Sequence, residues 1–137
     1  MLPPELKDLI HIEQRLQKGE FIRGISAEDY ILKIEDQAEI LIHHSGGSYN
    51  GFVAFYCNND VSREGYIALL LIAASGRGKG LGGELLSSAL MVMKSRGFTA
   101  CSLEVRAGNI SAIKLYTRYG FKIVADGDTN IKMQVRL

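Results

Sequence analysis

The sequence predicts a single α/β domain over residues 1–137, of the α+β type, in which helices flank a mixed, mainly antiparallel central sheet. Two observations predict this class. The 137 residues, of which 47% are apolar and 23% charged, match one ordinary globular domain. The apolar residues follow a helical period in some segments and a strand period in others, in the order helix, helix, three strands, helix, strand, helix, two strands. No repeat or composition break divides the chain.

Two helices open the predicted order. Apolar residues recur at helical spacing through residues 4–18, and Pro4 suits the first turn of a helix because its missing N–H is not needed there. A second helix is predicted to begin at Ser26, a preferred N-cap that stands three residues before Asp29 in a weak form of the capping box. The predicted buried face of this helix consists of Tyr30, Ile31 and Ile34.

Three strands are predicted next, at residues 38–43, 51–57 and 66–72. Short polar turns at 46–48 and 58–60 separate them, which predicts an antiparallel meander. The third strand is a continuous apolar run, which is typical of a central strand buried on both faces.

A glycine-rich loop at residues 75–83 joins the third strand to a long helix. Gly97 is predicted to end this helix, because glycine readily adopts the left-handed conformation of a helix C-terminus. Its apolar stripe, at helical spacing, consists of Leu81, Leu85, Ala89, Leu90 and Met93.

The last third of the chain predicts a strand, a short helix and two more strands. The strand spans residues 100–105, and the helix is capped by Asn109 or Ser111 and ends at Gly120. The final strands form a hairpin-like pair at residues 121–125 and 131–135.

The composition argues against membrane, export and nucleic-acid functions. The longest apolar run, residues 66–74, is nine residues, whereas a membrane span needs about 20. The first residues lack the basic-then-apolar order of an export signal, so we expect a cytoplasmic protein without membrane contact. No run of Lys and Arg interleaved with aromatic residues is present, so nucleic acid is not an expected partner.

The cysteines and histidines give no sign of metal or covalent chemistry. Cys57 and Cys101 each lie in an apolar, strand-like segment, and two cysteines make neither a disulfide framework nor a metal site. Both are predicted to be free and buried. His43 and His44 are adjacent in a strand and therefore point to opposite faces, and His11 stands alone, so no metal site is predicted.

The glycine-rich loop has the features of an anion site. Residues 76–83 hold five glycines in eight positions, together with Arg77 and Lys79. Glycine lets the backbone approach a ligand closely and adopt positive φ. The free N–H groups and the dipole of the following helix favour negative charge at the same place. The loop is therefore predicted to bind a phosphate or pyrophosphate.

Two common phosphate-binding patterns fit this loop poorly. A P-loop requires Ser or Thr after Lys79, but Gly80 stands there. The dinucleotide pattern G-x-G-x-x-G matches Gly78, Gly80 and Gly83, and Glu104 lies 21 residues further on, where a ribose-binding acid belongs. The 33 residues after Glu104 hold only one predicted helix and two short strands, so the doubly wound sheet of a dinucleotide-binding domain cannot be completed.

A third pattern, [QR]-x-x-G-x-[GA], is met by Arg77, Gly80 and Gly82. The pattern N-x-x-A-x-x-x-Y-x-x-x-G-F follows it, met by Asn109, Ala112, Tyr116, Gly120 and Phe121. Together with the Leu-Glu-Val-Arg text at 103–106, these motifs resemble the GNAT superfamily of acetyl-CoA-dependent acyltransferases, closely over residues 66–124. The latter half is most similar to the bacterial enzymes that acetylate the N-terminal alanine of a ribosomal protein.

The resemblance implies a GNAT-like domain with two departures from the family's usual pattern. The family often has proline where Ala74 stands. It also usually opens with a strand before its first helix, whereas this chain starts almost at that helix. An exposed sheet edge would result, and a homodimer is one way to cover such an edge.

The resemblance also implies which residues bind acetyl-CoA. Backbone groups of the third strand would pair with the pantetheine arm, which would add like an extra strand, and the glycine-rich loop would bind the phosphates. Asn109 would hold the arm from the other side. The full implied set is Leu70, Leu71, Ile72, Arg77, Gly78, Lys79, Gly80, Leu81, Gly82, Asn109 and Tyr116.

Two catalytic residues are implied, each with a structural alternative. Tyr116 would lie beside the thioester sulfur as the acid, since a phenol with a pKa near 10 can donate to a thiolate whose thiol has a pKa of about 8.5. Its alternative is a core tyrosine packed by Ile113 and Leu115. Glu104 has apolar neighbours on its strand and would be the base, and its alternative is a solvated residue paired with Arg106.

The expected function is transfer of an acetyl group from acetyl-CoA to a primary amine, directly and within a ternary complex. The acceptor is a peptide N-terminus or a small amine. Residues 1–68 hold 11 acids and 6 bases (−5), and residues 69–137 hold 4 acids and 10 bases (+6). The basic half suits the phosphates of CoA, and the acidic half suits a cationic acceptor. The alternative is a non-catalytic acetyl-CoA-binding regulatory module.

Overall fold

Four α-helices and six β-strands make up the protein, whose computed structural model describes residues 1–137. The helices are α1 (Pro4–Leu16), α2 (Ala27–Gln37), α3 (Leu81–Ser95) and α4 (Ile110–Arg118). The strands are β1 (Glu39–Ser45), β2 (Ser48–Tyr56), β3 (Glu64–Ile72), β4 (Ala100–Arg106), β5 (Lys122–Asp126) and β6 (Asn130–Arg136). A 3-10 turn, Ala74–Gly76, lies between β3 and α3. The predicted order of elements is confirmed.

The six strands form one sheet in the order β1-β2-β3-β4-β6-β5. Only the pair β3 and β4 is parallel, and the other four pairs are antiparallel. The predicted class, a mixed and mainly antiparallel sheet, is therefore confirmed, as are the meander of β1, β2 and β3 and the hairpin of β5 and β6. Strands β1 and β5 are the two edges of the sheet.

Helices cover both faces of the sheet, and each face has its own apolar core. One core packs α1 and α2 against the sheet, and its buried members include Leu6, Ile10, Ile31, Ile34 and Phe52. The other core packs α3 and α4 on the opposite face, and its buried members include Val53, Leu86, Met93, Leu103 and Phe121. Neighbouring residues of β2 belong to opposite cores, as the alternation of side chains along a strand requires.

The first two helices agree with their predicted patterns, with small differences. Helix α1 ends at Leu16, two residues before its predicted end, and Lys18 and Gly19 then adopt φ of 53° and 82°. Ser26 caps α2 as predicted, since its side chain accepts a hydrogen bond from the N–H of Asp29 at 3.1 Å. Tyr30 is only half-buried, because its side chain lines a cavity rather than the core.

The parallel pair β3 and β4 is joined along only part of its length. Residues 64–67 of β3 pair with β4, and the last pair joins Ile67 to Leu103. At this closed end, Glu64 accepts hydrogen bonds from Ser102 of β4 and from Gln134 of β6. Beyond the last pair the two strands separate and leave a gap in the sheet.

A β-bulge in β3 lies at the start of this gap. Ala54 of β2 pairs with Leu69, and the next residue, Phe55, pairs with Ile67, so that Ala68 is an extra residue. The bulge turns the side chains on its two sides to opposite faces, because Ile67 belongs to the α3 and α4 core and Leu69 to the α1 and α2 core.

The prediction that residues 66–72 are buried on both faces is wrong. Ile67 and Leu69 are the buried members of this run. The half-buried members are Tyr66, Ala68, Leu70, Leu71 and Ile72. The reason is the gap, which leaves this part of β3 without a neighbouring strand on one side.

Candidate active site

A cavity of about 480 Å³ occupies the gap between β3 and β4, a size typical of small-molecule sites. Tyr66 and Leu70 line it from β3, and Glu104 lines it from β4. Asn109 and Tyr116 line it from α4, on the opposite face of the sheet. Because the sheet is open here, a molecule in the gap can contact residues from both faces.

Tyr116 combines a buried ring with a hydroxyl that is available to the cavity. The residue is 9% exposed, and its ring packs at 5.7 Å between centroids against Phe121. Burial raises the pKa of Tyr116 to about 12, with a smaller contribution from Cys101, and no hydrogen bond contributes. The phenol is therefore protonated at neutral pH and able to donate. The two predicted roles of Tyr116, as a core residue and as an acid, are compatible in this geometry.

Glu104 presents its carboxylate to the same cavity. Its neighbours Leu103 and Val105 are buried in the core, so strand alternation turns Glu104 to the other face, as predicted. Its alternative partner, Arg106, instead donates a hydrogen bond to the carbonyl oxygen of Glu20 at 3.3 Å. None of the three ion pairs of the structure includes Glu104. The carboxylate therefore has no ion-pair partner within the protein.

Tyr66 lines the cavity although it is not among the predicted site residues. It pairs with Ser102 of β4, two residues from Glu104, so that both side chains lie on one face of the sheet. Burial raises the pKa of Tyr66, and the charge of Glu104 raises it further. Only the register of β3 against β4 brings these two residues together, and no local sequence signal could have shown it.

Two more tyrosines lie near Tyr66. Tyr56 pairs with it directly from β2, and the phenol of Tyr30 in α2 interacts electrostatically with the phenols of Tyr56 and Tyr66. Burial raises the pKa of Tyr30 to about 12, with smaller contributions from the other two phenols. Tyr30 and Tyr66 line the cavity, and they make part of its wall both aromatic and capable of hydrogen bonding.

The segment between α1 and α2 covers the cavity on the same side. Gln14 holds this segment through both atoms of its amide, which bond the N–H of Ile22 at 2.7 Å and its carbonyl oxygen at 2.9 Å. Arg23 forms an ion pair with Glu20 at 3.7 Å. Phe21, Ile22 and Ile25 line the cavity from this segment. No sequence signal marks this segment, because its residues follow no helical or strand period.

The charges of the main cavity are balanced. The acidic residues that line it are Glu13, Glu20 and Glu104, and the basic ones are Arg23, Lys33 and Arg106. The acidic excess of residues 1–68 is therefore not concentrated at this site, and the cavity's charge does not by itself select a cationic acceptor.

The glycine-rich loop forms a second cavity of about 250 Å³. Of the predicted cofactor-binding residues, those that line it are Ile72, Arg77, Gly78, Gly80, Leu81 and Gly82. Lys79 is exposed and does not line it, whereas Leu70, Leu71, Asn109 and Tyr116 line the main cavity instead. Arg118 and Tyr119 of α4 line the second cavity and were not predicted. Two arginines and no acid therefore face this space.

The backbone of the loop uses glycine at two left-handed positions and leaves the start of α3 without a side-chain cap. Gly78 and Gly80 have φ of 75° and 76°, in the left-handed region that favours glycine. Gly80 is the N-cap of α3, and no side chain caps this helix. The N–H groups of the first turn of α3 are therefore available to donate to a bound group.

Gly83 is needed for a different reason. A Cβ at this position would collide with the hydroxyl of Tyr119, so the missing side chain lets α4 approach α3 closely. This contact places Tyr119 at the wall of the second cavity.

Asn109 caps α4, as one of the two predicted alternatives stated. Its Oδ1 accepts a hydrogen bond from the N–H of Ala112 at 3.2 Å and another from the hydroxyl of Ser111 at 3.3 Å. The cap fixes the start of α4 beside the main cavity, and Asn109 itself lines that cavity.

The cysteines are free and buried, as predicted. No three His, Cys, Asp or Glu side chains come together in an arrangement that could hold a metal ion. None of the four helices has the length and apolar character needed to cross a membrane.

Comparison with curated proteins reveals three informative relatives. The chain is 40% identical over 72 residues to N-alpha-acetyltransferase 30 of Schizosaccharomyces pombe, covering 50% of this chain and 48% of that protein. It is 30% identical over 92 residues to N-alpha-acetyltransferase MAK3 of Arabidopsis thaliana, covering 67% and 48%. It is 32% identical over 112 residues to mycothiol acetyltransferase of Corynebacterium aurimucosum, covering 76% and 35%. The chain thus spans a third to a half of the length of these relatives.

Comparison with solved structures confirms the fold. A Bacillus subtilis acetyltransferase in complex with CoA matches with a TM-score of 0.79 at 17% identity, covering 100% of this chain and 94% of that one. The ribosomal-protein-S18-alanine N-acetyltransferase of Escherichia coli matches with a TM-score of 0.70 at 22% identity, covering 82% and 77%.

The overall fold is thus shared with an acetyltransferase that was solved in complex with CoA. Residues 6–121 match the Acetyltransferase (GNAT) family. The chain therefore belongs to this family.

Proposed function

We propose that this protein transfers an acetyl group from acetyl-CoA to a primary amine, by direct transfer in a ternary complex. One observation carries the proposal. The gap between β3 and β4 places a protonated phenol, Tyr116, on one face of the sheet and an unpaired carboxylate, Glu104, on the other. Acyl transfer to an ammonium group requires a base that removes a proton from the nitrogen and an acid, or at least a hydrogen-bond donor, for the departing sulfur.

The residues present fit CoA. Acetyl-CoA supplies an acetyl group activated as a thioester, at the end of an extended arm that begins at a pyrophosphate. The uncapped first turn of α3, with Arg77 and Arg118 beside it, offers donors and positive charge for phosphates. Along residues 68–72 of β3, backbone groups that point toward β4 lack a strand partner and are available to an extended arm.

Each chemical requirement of the transfer has a candidate group. Glu104 accepts the proton that the ammonium group of the acceptor must lose before the nitrogen can attack, and later releases it to solvent. As the N–C bond forms, a backbone N–H of residues 70–72 donates to the acetyl oxygen, where negative charge develops. When the C–S bond breaks, Tyr116 donates a hydrogen bond to the departing sulfur, and the second proton lost by the nitrogen ends on this sulfur, either directly or by way of the phenol.

We propose a peptide N-terminus as the acceptor, with a small amine as the alternative. Two relatives are N-alpha-acetyltransferases by name, and they support the first choice. The mycothiol acetyltransferase relative supports the alternative. The aromatic and phenolic part of the main cavity is where either acceptor would lie.

A thermal-shift experiment with acetyl-CoA and, in parallel, NAD tests the cofactor. A ligand at 100 times its Kd adds about 2.7 kcal/mol of stability, which shifts Tm by several degrees in a domain of this size. We expect a shift with acetyl-CoA only. A shift with NAD alone would mean that the dinucleotide reading of Gly78, Gly80 and Gly83 is the correct one.

Mass spectrometry of acceptor mixtures tests the reaction. The mixture should contain peptides with free N-termini, the same peptides with blocked N-termini and an internal lysine, and small primary amines. We expect acetylation of free N-termini. Binding of acetyl-CoA without acetylation of any amine would instead favour the non-catalytic regulatory module.

Two further properties remain predictions. A homodimer would cover an edge strand of the sheet, such as β1, and sedimentation of the purified chain tests it. A cytoplasmic location is tested by fractionating cells that produce the protein.

A further inference from the structure

Asn50 is one of only two polar residues that the chain buries, the other being Ser102. It is 7% exposed and lies near the start of β2, outside both cavities. A buried amide is costly unless its polar atoms find partners. The partners of Asn50 therefore show what its burial accomplishes.

The chain presents Asn50 through a β-bulge. His43 of β1 pairs with Gly51, and the next residue, His44, pairs with Tyr49, so that Asn50 is the extra residue between them. Bulges redirect side chains, and they are common next to functional sites. Here the redirected side chain reaches the turn that follows β3.

The amide of Asn50 is held in one orientation by β1. Its Nδ2 contacts Nδ1 of His43 at 3.2 Å and donates to the hydroxyl of Ser45 at 3.0 Å. Both hydrogens of the amide nitrogen are thereby used. The amide oxygen is left to face Ser75, whose hydroxyl donates to it at 3.2 Å.

The backbone of Asn50 holds the same turn. Its carbonyl oxygen accepts a hydrogen bond from the N–H of Ala73 at 2.8 Å. Gly76 is packed so closely that a Cβ there would lie 2.8 Å from this oxygen and 2.8 Å from Cδ1 of Leu81. Asn50 thus contacts three of the four residues 73–76, at the start of the glycine-rich loop that lines the second cavity.

We propose that Asn50 is a positioning residue for the phosphate-binding loop. The inference rests on the proposed function, in which residues 77–82 bind the phosphates of CoA. A loop rich in glycine has many conformations in the free protein, and ordering it on binding lowers affinity. Asn50 fixes the segment from which the loop begins, so that Gly78 and Gly80 start from a defined geometry.

The test uses substitutions at both ends of the side-chain hydrogen bond. Ser75→Ala removes the donor at an exposed residue, where folding is not at risk, and Ser75→Thr keeps it. Asn50→Ala removes all side-chain partners, whereas Asn50→Asp keeps an acceptor for Ser75 and loses the donors to His43 and Ser45. Ser88→Ala is the matched control, because it removes an exposed hydroxyl that donates to the carbonyl oxygen of Glu84.

The readouts separate positioning from general stability. We expect Ser75→Ala and Asn50→Ala to raise the Kd for CoA by about 3- to 10-fold, the effect of a lost hydrogen bond. Ser75→Thr and Ser88→Ala should retain the wild-type Kd. With S-acetylpantetheine, which lacks the phosphates, kcat/KM should be unchanged in all variants. Hydrogen exchange of residues 73–82 should be faster in Ser75→Ala and Asn50→Ala.

The outcomes distinguish this proposal from the one on which it rests. Wild-type protein that does not bind CoA would overturn the proposed function. Wild-type protein that binds CoA, with Ser75→Ala and Asn50→Ala binding it equally well, would overturn the positioning role alone. Equal losses with acetyl-CoA and S-acetylpantetheine would also overturn it, because they would indicate a general structural defect.

Discussion

Tyr66 of β3 and Glu104 of β4 lie on one face of the sheet, and the carboxylate's charge adds to the effect of burial in raising the pKa of the phenol. The two residues are 38 positions apart in the sequence. Their proximity depends on the parallel register that pairs Tyr66 with Ser102. The relationship is central to the site because it places a second ionisable group beside the proposed base.

The first prediction concerns this relationship directly. Glu104→Gln should lower the pKa of Tyr66, because the negative charge that disfavours the phenolate is removed. Titration of tyrosines labelled with 13C at Cζ, followed by NMR, measures the change. Tyr116 is an internal control, since burial and Cys101 raise its pKa and Glu104 does not contribute. An unchanged pKa of Tyr66 would show that the two groups do not interact.

The second prediction concerns the base. Glu104→Gln should lower kcat/KM at pH 7 by about 10²-fold or more, because the acceptor ammonium group loses its proton acceptor. The deficit should shrink as the pH rises and the free amine becomes abundant. The loss of rate should disappear at a lower pH for a peptide N-terminus, with a pKa of about 8, than for an amine with a pKa of about 10.4. Glu28→Gln, at an exposed residue of α2, is the control.

A deficit at pH 7 that persists unchanged at high pH would contradict the role of Glu104 as the base. A rate that equals the wild-type rate at every pH would contradict it as well, and Tyr66 would then be the next candidate to substitute.

The third prediction concerns the acid. Tyr116→Phe should lower kcat by roughly 10²-fold and leave the Kd for CoA close to that of the wild type. The phenol has a pKa of about 12, so it is protonated at every pH of an ordinary assay and its titration adds no limb to the pH profile. Tyr49→Phe is the matched control, because the Tyr49 ring packs against His44 in a tilted arrangement and lines neither cavity. Steady-state kinetics and calorimetry give the two quantities, and an unchanged kcat would remove the proposed role.

The fourth prediction separates backbone strain from ligand binding. Gly80→Ala and Gly97→Ala each place a Cβ at positive φ, 76° and 81°, at opposite ends of α3. At Gly80 the Cβ meets nothing, and at Gly97 it meets only the end of the flexible Arg63 side chain. Each substitution should therefore lower the free energy of unfolding by about 1–2 kcal/mol. Only Gly80→Ala should weaken CoA binding, because Gly97 lies beyond the far end of α3 and lines neither cavity. Denaturant unfolding measures the free energy of unfolding of both variants, and calorimetry measures their affinity for CoA. Equal CoA affinities would argue against the assignment of the loop to the phosphates.

Patterns along the chain were sufficient to predict most of the fold. The cap at Ser26, the cap at Asn109 and the order of the elements are local features, and each was found where predicted. The end of α1 was not found where predicted, because the helix stops at Leu16 and the chain then turns through the left-handed residues Lys18 and Gly19.

The site was predictable only where its residues form a motif. Gly78, Gly80 and Arg77 stand together in the sequence and line one cavity. The partial separation of β3 from β4 is a property of strand pairing, and it turns Tyr66 from an expected core residue into a cavity residue. The position of Asn50 could not be predicted either, since its bulge depends on the pairing of β1 with β2.

The short ladder between β3 and β4 has a mechanical consequence. Four residue pairs, ending at Ile67 and Leu103, are the only backbone ladder that joins strands β1–β3 to strands β4–β6. The sheet therefore consists of two three-stranded halves whose backbones are paired at the Glu64 end and unpaired at the other. An extended ligand bound between the unpaired ends would contact both halves and hold them together. Separating the halves by force or by heat should then be hardest when the gap is occupied, so that the rigidity of the whole domain reports occupancy of the gap.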